Sequence, residues 1–128
     1  MMTHKDLVVW QKSMNLATLV YKMTNQFPKE EIYGLTSQMR RAAVSIPSNI
    51  AEGHGRFSEK ELIRFLFISL GSSAELETQL ILANNLGFLK EADFKQIQEL
   101  NNEVVKMLSA LIRKKDNGQL INNAETIK

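Results

Sequence analysis

The side chains best suited to bind a ligand are basic and lie in the central part of the chain. Arg40 and Arg41 are adjacent, and Lys60 and Arg64 follow Arg56 at four-residue spacing. Guanidinium and ammonium groups pair with phosphate, so these five residues are our candidate nucleic-acid contacts. Further cations occur nearer the C-terminus: Lys106, Arg113, Lys114 and Lys115. The alternative interpretation is a solvated surface whose last cations complement a helix dipole.

A glycine-containing segment at residues 53–56 precedes a helix start and has the composition of a phosphate-binding loop. Backbone amides at a helix N-terminus can bind phosphate. However, Ser58, Glu59 and Glu61 occupy that first turn, and the two carboxylates would repel a phosphate. The segment matches neither a P-loop nor a dinucleotide-binding motif. We therefore favour a structural turn.

A polar stripe accompanies the apolar positions of the same region. Its members share one helical face: Gln38, Arg41, Ser45, Asn49 and Glu52. A later segment has small residues at 71–74, followed by Glu75 and Glu77, and an Arg41–Glu75 pair would let a buried guanidinium keep its charge. Two interpretations stay open: a network that fixes helix register within one subunit, or an assembly surface. We favour the first, because half-buried polar networks commonly specify packing.

Catalytic patterns are missing from the sequence. The two histidines are His4 and His54, and neither follows a glutamate by three residues, as the di-metal helical bundles require. No Ser-His-acid order and no zinc-ligand spacing occurs. Glu75 and Glu77 point about 200° apart on a helix, which does not suit an acid–base pair. We expect no catalytic residue, cofactor or bound metal, and no enzymatic activity.

The elements that must position these residues are helices. Apolar residues at three- and four-residue spacing predict four of them: residues 7–26, residues 29–52, a segment that begins after Ser58, and residues 91–115. Pro47 lies inside the second helix, where the apolar period continues beyond it. Long helices with short connections predict an all-α fold, an antiparallel up-down-up-down four-helix bundle.

The ends of the predicted helices carry recognisable signals. Asp6 is the expected N-cap of the first helix, and Ser58 with Glu61 has the spacing of a capping box. Gly53 is expected to break the second helix, and Gly87 to end the third. We assign residues 1–115 to the bundle and residues 116–128 to a flexible C-terminal tail.

Composition is that of one globular domain. The 128 residues are 44% hydrophobic and 23% charged, with no cysteine and a net charge of only +2. No apolar segment is long enough to span a membrane, and the start of the chain has no signal-peptide core. We expect a soluble, cytoplasmic protein, with no membrane partner. The small net charge does not by itself indicate nucleic-acid binding.

Three segments together resemble a known bacterial family. They are LVVWQK at residues 7–12, YGLTSQMRRAAVSIPSNIAEG at residues 33–53 and GSSAELE at residues 71–77. The family is that of the 23S rRNA-intervening-sequence proteins, also called ribosomal protein S23-like. The resemblance implies an antiparallel four-helix bundle that commonly forms a ring-like homo-oligomer, often a pentamer. It also extends to the accessory bundle protein of diversity-generating retroelements, which binds nucleic acid and reverse transcriptase.

Two functions are consistent with these observations. The first is an oligomeric bundle that binds RNA or DNA through a basic surface repeated around a ring, which would multiply the phosphate contacts. The alternative is a protein–protein scaffold with no affinity for nucleic acid. The two differ in whether binding to nucleic acid weakens steeply with salt.

Overall fold

The structure, a computed structural model, describes residues 2–116 as four α-helices and two short 3₁₀ turns. The helices are α1 (Val8–Thr24), α2 (Leu35–His54), α3 (Glu59–Asn85) and α4 (Glu91–Asp116). The 3₁₀ turns cover His4–Asp6 and Lys29–Glu31. Within this part of the chain there is no strand.

The four helices form a closed bundle around one core. Each helix packs against two neighbours, in the cyclic order α1, α2, α3, α4, whereas no Cα atoms of diagonal pairs approach within 8 Å among the described residues. Short connections make successive helices alternate in direction. The predicted all-α four-helix bundle is therefore confirmed. The C-termini of α2 and α4, the N-terminus of α3 and the N-terminal 3₁₀ turn lie at the same end.

The core consists of the apolar stripes that the spacing predicts. Each fully buried aliphatic side chain contributes roughly 1.5–3 kcal/mol relative to exposure. The largest of these side chains, from all four helices, are Leu16, Val20, Met39, Ile46, Ile50, Leu66, Leu76, Leu80, Ile97, Val104 and Leu108.

The starts of α1 and α2 differ from the predicted ones. Asp6 is not the N-cap of α1: Thr3 caps the preceding 3₁₀ turn, and the Asp6 carboxylate accepts a hydrogen bond from the Thr3 amide at 2.8 Å. The second helix begins at Leu35 instead of residue 29, because Gly34 has non-helical backbone angles. The Glu31 carboxylate then accepts from the Leu35 amide at 3.1 Å and satisfies one free amide of the new helix.

The second helix also continues past the glycine that was expected to break it. Gly53 is buried inside α2, where α2 and α3 approach closely. A Cβ at this position would lie 2.8 Å from the Cβ of Phe65, too close for any side chain to fit without a shift. The glycine therefore allows α2 and α3 to pack closely, and α2 ends one residue later at His54.

Pro47 is buried within α2, which continues through it as predicted. The adjacent turn is tied to α3, because the buried Ser69 hydroxyl donates to the Ile46 carbonyl at 2.9 Å. Close by, the Ser45 and Ser72 hydroxyls share a hydrogen bond of 2.8 Å. Two polar contacts thus fix the register of α2 on α3.

The ends of α3 follow their predicted signals, with one exception. The Ser58 hydroxyl accepts from the Glu61 amide at 3.3 Å, but the reciprocal bond of a capping box is absent. At the other end Gly87 has a φ of 76°, and the Phe88 amide donates to the Ala83 carbonyl at 2.9 Å. This is the backbone pattern of a Schellman motif.

The last helix extends one residue beyond its predicted end. α4 includes Asp116, which is buried and which the predicted boundary places in the tail. The remaining residues of the predicted tail, 117–128, lie outside the described residues.

The Gly53 contact predicts opposite effects of two glycine-to-alanine changes. Gly53→Ala should lower the free energy of unfolding by about 1–3 kcal/mol, because the new methyl group overpacks the contact with Phe65. Gly71→Ala is the control, since a methyl group added at this position of α3 would have nothing within 4 Å. It should stabilise the fold by about 0.5–1 kcal/mol. Urea unfolding followed by circular dichroism measures both, and equal effects would contradict the close-contact role of Gly53.

Candidate nucleic-acid interface

Three of the five candidate phosphate contacts lie at one end of the bundle. Arg56 follows the C-terminus of α2, Lys60 lies in the first turn of α3, and Arg64 lies one turn further along. All three are exposed. We call this region, together with Lys115 of α4, the basic end.

Phe65 brings two of these cations together. The guanidinium of Arg64 lies 4.4 Å from the centre of the Phe65 ring, and that of Arg56 lies 5.2 Å from it. Each contact is within the range of a cation–π interaction. Because Phe65 is held in the α2–α3 contact by Gly53, both guanidiniums are positioned by the helix packing.

Both guanidiniums also have carboxylate partners. Arg56 pairs with Glu52, and Arg64 donates to Glu61 at 3.0 Å. The hydrogen bond from Arg64 lowers the pKa of the Glu61 carboxyl and raises the pKa of the Arg64 guanidinium. These pairs are exposed, and exposed ion pairs contribute about 0–1 kcal/mol, so a phosphate can compete for the cations.

A cleft of about 160 Å³ joins the basic end to the C-terminus of α4. Arg56 and Lys115, from segments far apart in sequence, both line it, and so do His54 and Glu59. The cleft therefore presents two cations and one carboxylate beside four apolar side chains, Met2, Leu7, Leu62 and Leu111. The α3 amides beside it are partly used, because Ser58 caps that helix.

Arg40 and Arg41 lie elsewhere, about 20 Å along α2 from its C-terminus at 1.5 Å per residue. Arg40 is engaged within the chain: its guanidinium donates to Thr24 at 2.9 Å and to Asn25 at 3.0 Å, and it lies 4.6 Å from the centre of the Tyr21 ring. It therefore ties α2 to α1. Arg41 is exposed, and no ion pair joins it to a described residue.

The predicted polar stripe is an outer feature of the α2–α3 seam. Ser45 and Asn49 are half-buried, and the Asn49 amide donates to the Ser45 hydroxyl at 3.0 Å. Gln38 and Glu52 are exposed, the latter bound to Arg56. Part of the stripe thus forms a packing network within the subunit.

The α3 side of that stripe does not form the expected ion pair. Glu75 is exposed and accepts from the Gln79 amide at 3.3 Å; no ion pair connects it to Arg41 within the described residues. Arg41 is not buried, so the argument that it needs a carboxylate to keep its charge does not apply. Glu77 is half-buried.

An apolar groove that was not predicted from the sequence lies between α1 and α2. It has a volume of about 560 Å³, and most of its lining is apolar: Trp10, Met14, Ala17, Tyr21, Val44, Pro47 and Ala51, with His4, Thr18 and Ser48. The one sequence signal that could have indicated the groove is Val44, an apolar residue that lies outside the core stripe of α2. We call this surface the α1/α2 groove.

A contact between the two histidines was also missed. The His4 ring lies edge-on to Trp10, with ring centres 5.3 Å apart, and the rings of His4 and His54 lie 6.4 Å apart. The pair anchors the N-terminal 3₁₀ turn to the end of α2. Among the described residues no group of three metal-ligating side chains could hold a metal ion, and no helix there is long and apolar enough to cross a membrane.

These features define a class: four-helix bundles with a basic end, an apolar side groove and no recognisable catalytic arrangement among the described residues. The model of the 23S rRNA-intervening sequence protein family matches residues 5–110, and the chain belongs to this family. A solved structure of a protein of unknown function from the S23 ribosomal protein family of Bacteroides thetaiotaomicron is similar, with a TM-score of 0.75 and 26% identity. The match covers 83% of this chain and 99% of that one. No functionally curated protein matches the chain.

The Arg64–Glu61 contact predicts a measurable change in titration. Arg64→Gln should raise the pKa of Glu61 toward its ordinary value of 4.5, because the charged hydrogen-bond donor is lost. A lowered carboxyl pKa stabilises the fold above the unfolded-state pKa, and this contribution disappears as the pH falls through the folded-state pKa. Carbon-13 NMR of the side-chain carboxyl measures the shift. Arg113→Gln is the matched control, and an unchanged Glu61 pKa in Arg64→Gln would contradict the pairing.

Proposed function

We propose that the chain is a non-catalytic, oligomeric bundle protein of the cytoplasm that binds RNA or other nucleic acid through its basic end, repeated around the assembly. The observation that carries this proposal is the convergence of Arg56, Lys60, Arg64 and Lys115 at one end of the bundle. Arg56 lies in the α2–α3 connection, Lys60 and Arg64 lie on α3 and Lys115 lies on α4, and the fold gathers them.

The electrostatics of the basic end suit a phosphate backbone better than one small anion. Its cations are exposed or partly exposed and spread over three helix ends, and Glu52, Glu59 and Glu61 lie among them. Such a surface gives weak binding per subunit, because each contact is solvated and partly neutralised. Several copies acting on one polyanion would add their contacts and steepen the salt dependence.

Arg40 has a different role in this proposal. Its hydrogen bonds to Thr24 and Asn25 and its contact with Tyr21 are those of a structural residue. Arg41 is free to contact phosphate, but it lies away from the basic end. The family name refers to ribosomal RNA genes, which supports structured RNA as the first ligand to test.

The proposal is tested by fluorescence anisotropy of the purified full chain with structured RNA, single-stranded RNA and duplex DNA. Salt is varied over roughly 50–200 mM, and light scattering gives the protein mass in the same buffers. We expect binding that falls steeply with salt and that accompanies the assembled form. An intact oligomer that binds none of the three ligands would rule out the nucleic-acid part of the proposal.

Charge-matched variants identify the surface. The double variant Arg56→Ala, Lys115→Ala should weaken binding and reduce the salt slope by about 1 for each phosphate contact removed. Lys29→Ala, Lys90→Ala removes the same charge at the opposite end and should leave the affinity unchanged. Arg41→Ala tests the middle of α2. Equal losses from both double variants would mean that only net charge matters, and the basic end would then not be the interface.

The alternative function is a protein–protein scaffold or assembly module. The observation that favours it is the exposed α1/α2 groove, an apolar surface of the kind that binds protein segments. In this case anisotropy shows no salt-steep binding, whereas substitutions in the groove abolish association with protein.

A further inference from the structure

The cleft at the basic end has an apolar wall that a phosphate would not use. Leu7, Leu62 and Leu111 line the cleft together with its two cations, Arg56 and Lys115. Leu62 is only 7% exposed and belongs to the core, so the cleft reaches down to the interior of the bundle. A phosphate is strongly hydrated and gains nothing from apolar contact. The lining therefore fits a ligand that has both an anionic and an apolar part.

Glu59 is the cleft residue that suits a phosphate least. Its side chain is exposed and has no ion pair or hydrogen bond with a described residue. The neighbouring carboxylates differ, because arginine side chains bind both Glu52 and Glu61. An ionised carboxylate only accepts hydrogen bonds, and its two oxygens can accept two parallel ones. Glu59 therefore favours a ligand that carries N–H donors in addition to its negative charge.

A nucleotide combines these features. Its phosphate is anionic, the faces of its base are apolar, and the edge of its base carries hydrogen-bond donors. The cleft volume of about 160 Å³ is below the roughly 300–1,000 Å³ of pockets for drug-sized ligands, which leaves room for one base and excludes a duplex. In a duplex the Watson–Crick edge is also occupied by the partner strand. The nucleotide that enters the cleft must therefore be unpaired.

The carboxylate of Glu59 also discriminates among the bases. Guanine has two adjacent donors on its Watson–Crick edge, N1–H and the N2 amino group, and can donate to both oxygens of one carboxylate. Adenine and cytosine have one amino group there beside a ring nitrogen that accepts, and uracil has one N–H between two carbonyls. Those acceptor atoms repel a group that can only accept. Glu59 therefore favours guanine.

We propose that the cleft at the basic end binds one unpaired guanine nucleotide of an RNA, at an end, a bulge or a loop. Arg56 and Lys115 bind its phosphate. Leu62 and Leu111 contact the face of the base, and Glu59 accepts hydrogen bonds from N1–H and the N2 amino group. The remaining cations of the basic end contact neighbouring phosphates. This inference rests on the proposed function and adds a sequence preference, which phosphate contacts alone do not give.

The test is fluorescence anisotropy of the full chain with RNA hairpins that differ in one overhanging nucleotide, at constant salt. This nucleotide is guanosine, uridine or an abasic residue, so that all three hairpins carry the same number of phosphates. Glu59→Gln keeps the size of the side chain and removes one acceptor and the charge. Glu91→Gln is the matched control, since Glu91 is also exposed in the first turn of a helix, but at the opposite end of the bundle. Circular dichroism verifies that both variants keep the helical fold.

We expect the wild type and Glu91→Gln to bind the guanosine hairpin about tenfold more tightly than the uridine hairpin, the scale of one bidentate contact to a base. Glu59→Gln should bind these two hairpins equally. The uridine hairpin should still bind more tightly than the abasic one in all three proteins, because its base contacts the apolar wall of the cleft.

Four results would overturn the inference, and only the last also removes the proposed function. The first is salt-steep binding that is equal for the three hairpins. The second is a guanosine preference that persists in Glu59→Gln. The third is displacement of the guanosine hairpin by guanosine 5′-monophosphate at equal concentration, which would mean that the cleft takes a free nucleotide. The fourth is the absence of binding to any hairpin at every salt concentration.

Discussion

The close antiparallel contact between α2 and α3 is the constraint on which the other features depend. Gly53 lets the two helices meet at Phe65, and the Ser69–Ile46 and Ser45–Ser72 hydrogen bonds fix their register. The register in turn determines where Phe65 lies, and Phe65 holds the guanidiniums of Arg56 and Arg64. A side chain at position 53 would therefore disturb both the packing and the arrangement of the basic end.

Apolar spacing was sufficient to predict the four helices and their bundle, because the core stripes of this chain depend only on local period. Features set by contacts between distant residues could not be predicted in this way. Gly53 was expected to break the helix because glycine is a weak helix former. Its role in the structure is to leave space for Phe65 of α3. Similarly, Glu31 caps α2 only because Gly34 turns the backbone away from helical geometry.

The sequence was sufficient to predict which residue types form the candidate site, but not how the fold arranges them. Sequence spacing grouped Arg56, Lys60 and Arg64, which do lie together, but it had no means of adding Lys115 from α4. It also treated Arg40 and Arg41 alike. Their different environments arise because successive residues of a helix point about 100° apart, so that Arg40 meets Tyr21 of α1 and Arg41 faces outward.

Buried polar atoms explain why α3 and α4 pack in one particular register. Asn101 is fully buried in α4, and its amide donates to the Ser73 carbonyl of α3 at 3.1 Å, while its own oxygen and the Ser73 hydroxyl have no protein partner among the described residues. A buried polar group that loses its partner costs about 1–3 kcal/mol. This cost disfavours any shift of α4 in which Asn101 would lose its hydrogen bond to Ser73. The α3–α4 register is thereby fixed as the α2–α3 register is, and Lys115 of α4 keeps its position beside Arg56 at the basic end.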